Sequence, residues 1–176
     1  MRLLLPLLLC LLAGPVAAHS PTGDTSRYVT QSVSVSGAVR HRLTLKVSDL
    51  KALPAVTVRD IPVTNHHGVT VRRLKNVRGV RLKDILDKAG LAAPDPNDLK
   101  KMVVIASASD DYRVVFSCQE ILNSPLGESI IVFYEVDGKP LGKDSGLFGL
   151  ISARDTRTGP RHVKWLKDIS VIKVAP

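Results

Sequence analysis

Thiol chemistry is nearly absent from this chain, which carries two cysteines in 176 residues, Cys10 and Cys118. Cys10 lies in an N-terminal leucine run, so Cys118 stands alone in the remainder, excluding an intramolecular disulfide and a cysteine-based zinc site there. Aromatic residues are scarce too: three Phe, three Tyr and one Trp. The core must therefore come from Val, Leu, Ile and Ala, the composition of a β-rich fold. The chain has no serine-nucleophile elbow, no phosphate loop, no dinucleotide fingerprint and no internal repeat. No apolar run approaches the roughly 20 residues of a spanning helix.

What is present begins with an export signal. Arg2 supplies a positive end, Leu3–Leu12 a short apolar run, and Val16-Ala17-Ala18 the small residues before a cut at His19. The leucines before Cys10 lack the small residues of a lipoprotein cleavage site. The expected layout is a signal peptide over 1–18, a polar flexible leader over 19–27, and one domain over 28–176, soluble in the periplasm. Removing Met1–Ala18 takes away one arginine and leaves 24 basic against 16 acidic residues, net +8. In an exported protein this excess points to anionic ligands, membrane surfaces or an acidic partner face, and not to nucleic acid. Many of the basic residues, such as Arg42 and Lys46, Arg72 and Arg73, Lys100 and Lys101, are scattered and read as solvated strand edges.

Hydropathy alternates with period two over Val29–Ser36, and Gly37 turns the chain into Arg40–Val47, predicting a hairpin. Ser48 opens a short helix that closes at Pro54. Ala55–Arg59 and Val69–Val77 read as strands. Leu82, Ile85, Leu86 and Ala89 fall at i, i+3, i+4 and i+7, predicting a helix over Arg81–Ala89 capped by Gly90. After a Pro94–Asp98 loop come strands Met102–Ala106 and Tyr112–Phe116, a short helix Ser117–Asn123, and a strand Ser129–Val136. Asp137-Gly138 marks a tight turn. A Gly142–Gly149 loop, a short strand and a last strand over Trp165–Val174 complete a single α+β domain, a β-rich core of mixed sheets with two or three short peripheral helices.

The candidate chemistry is concentrated near the end. Arg154, Arg157, Arg161, His162 and Lys164 surround a Gly159-Pro160 turn and precede the only Trp, Trp165. Guanidinium forks and turn amides hold oxyanions, although such a cluster alone is equally consistent with a solvated basic turn. His66 and His67 are adjacent, and adjacent side chains on extended backbone point apart, so with His162 distant no metal site is expected. Cys118 occupies an apolar position of its helix and reads as a buried, inert thiol.

Arg161-His162-Val163-Lys164-Trp165-Leu166, with Tyr134-Glu135-Val136-Asp137-Gly138-Lys139-Pro140-Leu141 and Asp144-Ser145-Gly146 upstream, resembles the C-terminal part of the sulfite oxidase molybdopterin-binding domain. Gly79–Leu86 is similar to the family's helix start. Ser107–Tyr112 is similar to a turn of its short exported members, and Tyr112 falls where sulfite oxidases place an active-site tyrosine. The resemblance covers roughly Val33 to Val174. It implies a pterin cofactor, and it also exposes departures. The family's molybdenum-binding cysteine belongs upstream of the Gly79–Leu86 helix start, and Ile61–His67 contains none; a basic residue that members often carry is replaced near Gly149.

From the resemblance and these departures, the expected protein is a molybdenum-free pterin binder, metal-free and monomeric, sensing its ligand for the periplasmic domain of a membrane receptor such as a cyclic-di-GMP enzyme or histidine kinase. The alternatives are a molybdopterin-dependent oxidoreductase with atypical metal ligation and a cofactor-free interaction domain. The pterin site is expected to combine Asn65 and His66 from one loop with Tyr112 as a stacking face. Asp110, with Asp111 or Glu120, would accept hydrogen bonds, and Arg154, Arg161, His162 and Lys164 would donate them.

Overall fold

The computed structural model of the protein describes residues 24–174. The expected signal peptide, 1–18, lies outside the described residues. Asp24–Arg27, the end of the expected leader, leads into a 3-10 turn at Ser26–Tyr28, and Ser109 Oγ donates to the Tyr28 carbonyl.

Alternation of apolar and small polar residues builds the first strands, β1 (Val33–Gly37) and β2 (Leu43–Leu45), paired antiparallel with Val33 opposite Leu45. Helix α1 (Val47–Lys51) starts one residue earlier than Ser48 predicts, because Asp49 reaches back to accept from the Lys46 backbone N–H at 2.8 Å. Strands β3 (Ala55–Thr64) and β4 (Thr70–Arg81) form a long hairpin, so Asp60–Thr64 is strand. Period-two reading fails there because Pro62 and the adjoining Arg59-Asp60 pair interrupt the pattern. Helix α2 (Leu82–Ala89) buries the predicted face and ends at Gly90, whose φ of +65° suits glycine. The expected loop at Pro94–Asp98 overlaps a 3-10 turn at Pro96–Lys101 whose start is capped by the Asp95 carboxylate.

Next come β5 (Met102–Ala108), β6 (Arg113–Ser117) and α3 (Cys118–Leu122), the last capped by Ser117 with Glu120 reciprocating. After a 3-10 turn at Gly127–Ser129, β7 (Ile130–Val136) turns at Asp137-Gly138 into β8 (Lys139–Pro140). Strand β9 (Gly149–Ser152), a 3-10 turn at Gly159–Arg161, β10 (His162–Val163) and β11 (Leu166–Lys173) finish the described chain.

Two sheets result. One has the order β2-β1-β11-β5-β6, with β1 and β11 parallel and the other pairs antiparallel. The other has the order β10-β9-β7-β4-β3, with β8 on β7. The main core lies between the sheets and takes in Val35, Val104, Ile169, Val132 and Leu150 together with Leu50, Leu82, Ile85, Leu86 and Ile121 from the helices. A second, smaller core of Ile61, Val63, Leu74, Val77, Ile131, Phe133 and Ile151 packs on the opposite face of the second sheet. Strand β7 therefore feeds both cores, Ile130 and Val132 on one side and Ile131 and Phe133 on the other, which explains its continuous apolar run. Each such side chain contributes roughly 1.5–3 kcal/mol of burial. At Gly149 a Cβ would stand 2.5 Å from the Phe133 ring, so the position that departs from the family pattern has no room for a side chain. Among the described residues no helix is long and apolar enough to cross a membrane.

Candidate functional site

Three segments that are distant in sequence meet beside the second core. At the tip of the β3–β4 hairpin, Asn65 Oδ1 accepts from the backbone N–H groups of His67 and Val69, both at 3.0 Å, and shapes the loop. Thr158, buried, accepts from the Thr64 backbone N–H at 3.0 Å and donates to the Pro62 carbonyl. Gly159 then lies against the hairpin so closely that a Cβ would come 2.7 Å from the Thr64 carbonyl oxygen. From the other sheet, the Tyr112 hydroxyl donates to the Pro160 carbonyl at 2.7 Å. The hairpin tip, Tyr112 and the turn before β10 thus form one rim.

Inside the rim sits a group of cations. Arg72 is in phase with buried Leu74 on β4, so its side chain lies on the inner face and Nη2 donates to His162 Nδ1 at 3.3 Å. A guanidinium only donates, which leaves the ring proton on Nε2. His162 packs near Phe133, ring centroids 6.0 Å apart, and its pKa falls to about 3 through burial, Arg72 and Lys164. Burial and Arg72 also lower the pKa of Lys164, against smaller opposing effects of Asp144 and Asp110. Burial lowers that of Arg72. Among the described residues neither Arg72 nor Lys164 forms an ion pair, whereas Arg73 is held by Asp60, Lys83 by Asp87 and Lys173 by Asp98. Arg72, which lowers the proton affinity of His162 and Lys164, and Lys164 itself have no ion-pair partner among the described residues and favour an incoming anion.

Trp165 anchors the far side of Lys164. Its φ of +47° is costly for a bulky residue and persists only where the surroundings fix it. Here its Nε1 donates to the Lys143 carbonyl at 2.8 Å, its backbone N–H donates to Ser145 at 2.8 Å, and Tyr28 packs on its ring at 5.4 Å. Lys164 Nζ lies 5.5 Å from the same ring.

The predicted set is only partly a ligand-facing set. Arg161 does not fold toward Arg154 as a second anion fork: it donates twice to Asp155, at 2.7 and 2.6 Å, and once to Glu120 at 2.7 Å, with its guanidinium over Phe116. Two nearby carboxylates outcompete solvent for its donors. Glu120, bound to Arg161 and to the α3 cap, is likewise committed. Asp110 accepts from the Tyr112 backbone N–H at 3.2 Å, and Arg154 is exposed. His66 is exposed, its ring 3.8 Å from that of His67. Asn65 shapes the rim from within the hairpin, while Tyr112, His162 and Lys164 stand at the cationic group. The sequence reading missed Arg72 and Thr158. The i, i+2 phase of Arg72 with Leu74 marks it; for Thr158 no local signal exists, because its partners are 94 and 96 residues away.

A phosphate-bearing pterin fits this donor set: Arg72, His162 and Lys164 meet an anion, and Tyr112 offers an aromatic face. Such a cofactor, when loaded with molybdenum, supplies redox chemistry. The residues present do not fit thiolate ligation of that metal. Asn65, His66 and His67 occupy the hairpin tip with no cysteine, and Cys118 is fully buried on α3 with its thiol pushed up to about 11 by burial. Among the described residues no three His, Cys, Asp or Glu side chains converge.

Comparison with known proteins bears on the family and the fold. The model of the oxidoreductase molybdopterin binding domain matches residues 19–175. Sulfite oxidase of Arabidopsis thaliana is 24% identical over 182 residues, covering 88% of this chain and 45% of that protein. The sulfane dehydrogenase SoxCD of Paracoccus pantotrophus superposes with a TM-score of 0.60 at 16% identity, covering 87% of this chain and 40% of that one, and so shows a shared fold. The chain spans less than half the length of these relatives. It belongs to the oxidoreductase molybdopterin binding domain family.

Proposed function

We propose that the protein is a periplasmic pterin-binding module that works without thiolate-ligated molybdenum and reports its ligand to the periplasmic part of a membrane receptor. The observation that carries the reading is the Arg72–His162–Lys164 group, whose two cations form no ion pair among the described residues, in a domain whose hairpin tip holds no cysteine and whose described thiol is buried elsewhere. Arg72 and Lys164 meet the anionic end of the pterin, His162 donates from Nε2, and Tyr112 covers the ring.

The test is native mass spectrometry of protein purified from the periplasm, paired with elemental analysis. The expected result is a pterin-mass adduct with far less than one molybdenum per chain. Retention of the signal segment with cytoplasmic localisation overturns the sensor role, and absence of any pterin overturns the ligand. The second reading, an oxidoreductase with atypical ligation, draws on the likeness to a sulfite oxidase and a sulfane dehydrogenase, and stoichiometric molybdenum would establish it.

A further inference from the structure

Away from the cationic rim, a cavity of about 360 Å³ opens beside β2, in the size range of ligand sites. Its lining includes Arg42, Leu43 and Leu45, then Asp49 and Leu53 around α1, and Lys88 at the end of α2. Consecutive residues of β2 line it, although neighbouring side chains of a strand point to opposite faces, so the cavity views the strand along its edge. Among the described residues that edge is open: β2 ends the five-stranded sheet and has β1 on one side only. An unpaired edge offers backbone donors and acceptors to an added strand, and pockets beside it select side chains.

The charges define the occupant. Arg42 and Lys88 are exposed and, among the described residues, form no ion pair, while neighbouring Lys83 is held by Asp87. Asp49 is the single acid on the lining and is committed to the Lys46 N–H. Leu43 and Leu53 are half-buried and supply an apolar floor.

We infer that this groove is a second binding site, one that adds an extended acidic peptide segment of a partner protein as a strand on β2, its carboxylates meeting Arg42 and Lys88 and an apolar side chain filling the space over Leu43 and Leu53. This site goes beyond the pterin reading and stands or falls separately from it, since none of its lining residues belongs to the cationic rim.

The experiment is an amide-resolved NMR titration of the ¹⁵N-labelled chain with the capped peptide Ac-Glu-Val-Thr-Val-Glu-NH₂, its lysine counterpart, and succinate. The expected result is that the acidic peptide shifts the amides of Arg42–Leu45, that the lysine peptide does not, and that R42S/K88S weakens the acidic peptide at least five-fold. Both substituted residues are exposed, and an unchanged spectrum elsewhere verifies the fold. Equal shifts from the lysine peptide or from succinate overturn the strand-addition site, as do shifts confined to the rim around His162 or no shift at all.

Discussion

Arg72 and His162, 90 residues apart in the chain, share one hydrogen bond, and burial, with the charge of Arg72 second, keeps the imidazole neutral. The pKa of His162, about 3, lies below its unfolded value near 6.5, so the unfolded chain binds the extra proton between these limits. The contribution of His162 to stability is present above about pH 6.5 and is lost as pH falls toward 3. Unfolding at pH 7 and pH 4 should differ by about 2–3 kcal/mol from this group, and His162→Gln should remove that part. Denaturant titrations across the interval measure it; a His162→Gln profile parallel to wild type contradicts the assignment.

An anion bound at the rim acts in the opposite direction on the same imidazole, because negative charge favours its protonated form. Binding of a phosphorylated pterin should therefore raise the pKa of His162 from about 3, read by its ring resonances in an NMR titration, and it should weaken with added salt. Arg72→Ala and Lys164→Ala should each lose about ten-fold or more, the equivalent of one charge-assisted hydrogen bond at ~1.5–3 kcal/mol. Calorimetry with wild-type affinity in both variants would remove the cluster from the site.

Arg161 should behave differently from Arg72 despite its place in the same basic segment. Its guanidinium is about one-fifth exposed and joins Asp155 to Glu120, so Arg161→Ala leaves two carboxylates facing each other. A loss of roughly 2–4 kcal/mol in stability is expected, approaching the cost of breaking a buried pair. Arg161→Lys should recover only part of it, lacking the planar fork. Thermal unfolding reads this directly, and an unchanged melting temperature in Arg161→Ala rejects the strut.

Cys118 should be silent toward thiol reagents in the folded protein at pH 8, since burial holds it as the protonated thiol. Modification should follow unfolding, with a rate that rises with denaturant. Rapid alkylation of native protein would reopen Cys118 as a metal ligand.

The fold was legible where a segment buries one face. Leu82, Ile85, Leu86 and Ala89 point α2 inward, and Ser34 and Ser36 alternate with Val33 and Val35 along β1. It was illegible where pairing overrides pattern. Ile61 and Val63 are buried on β3 because Leu74 and Arg72 stand opposite them across the hairpin, a relation no local window contains. The rim was half legible: Tyr112, His162 and Lys164 carry chemistry that attracts notice in any context. Whether an arginine is held by a neighbouring acid depends on long-range packing, and this is why Arg161 is taken up by Asp155 and Glu120 while Arg72 meets His162 instead.

Strand β11 is the last element described, and it lies in the middle of its sheet between β1 and β5, parallel to the first described strand. A nascent chain still missing Leu166–Lys173 has β1–β2 and β5–β6 as separate hairpins with nothing to join them. Assembly of that sheet must therefore wait for Leu166–Lys173, more than 120 residues after β1, and contacts between such distant segments close slowly.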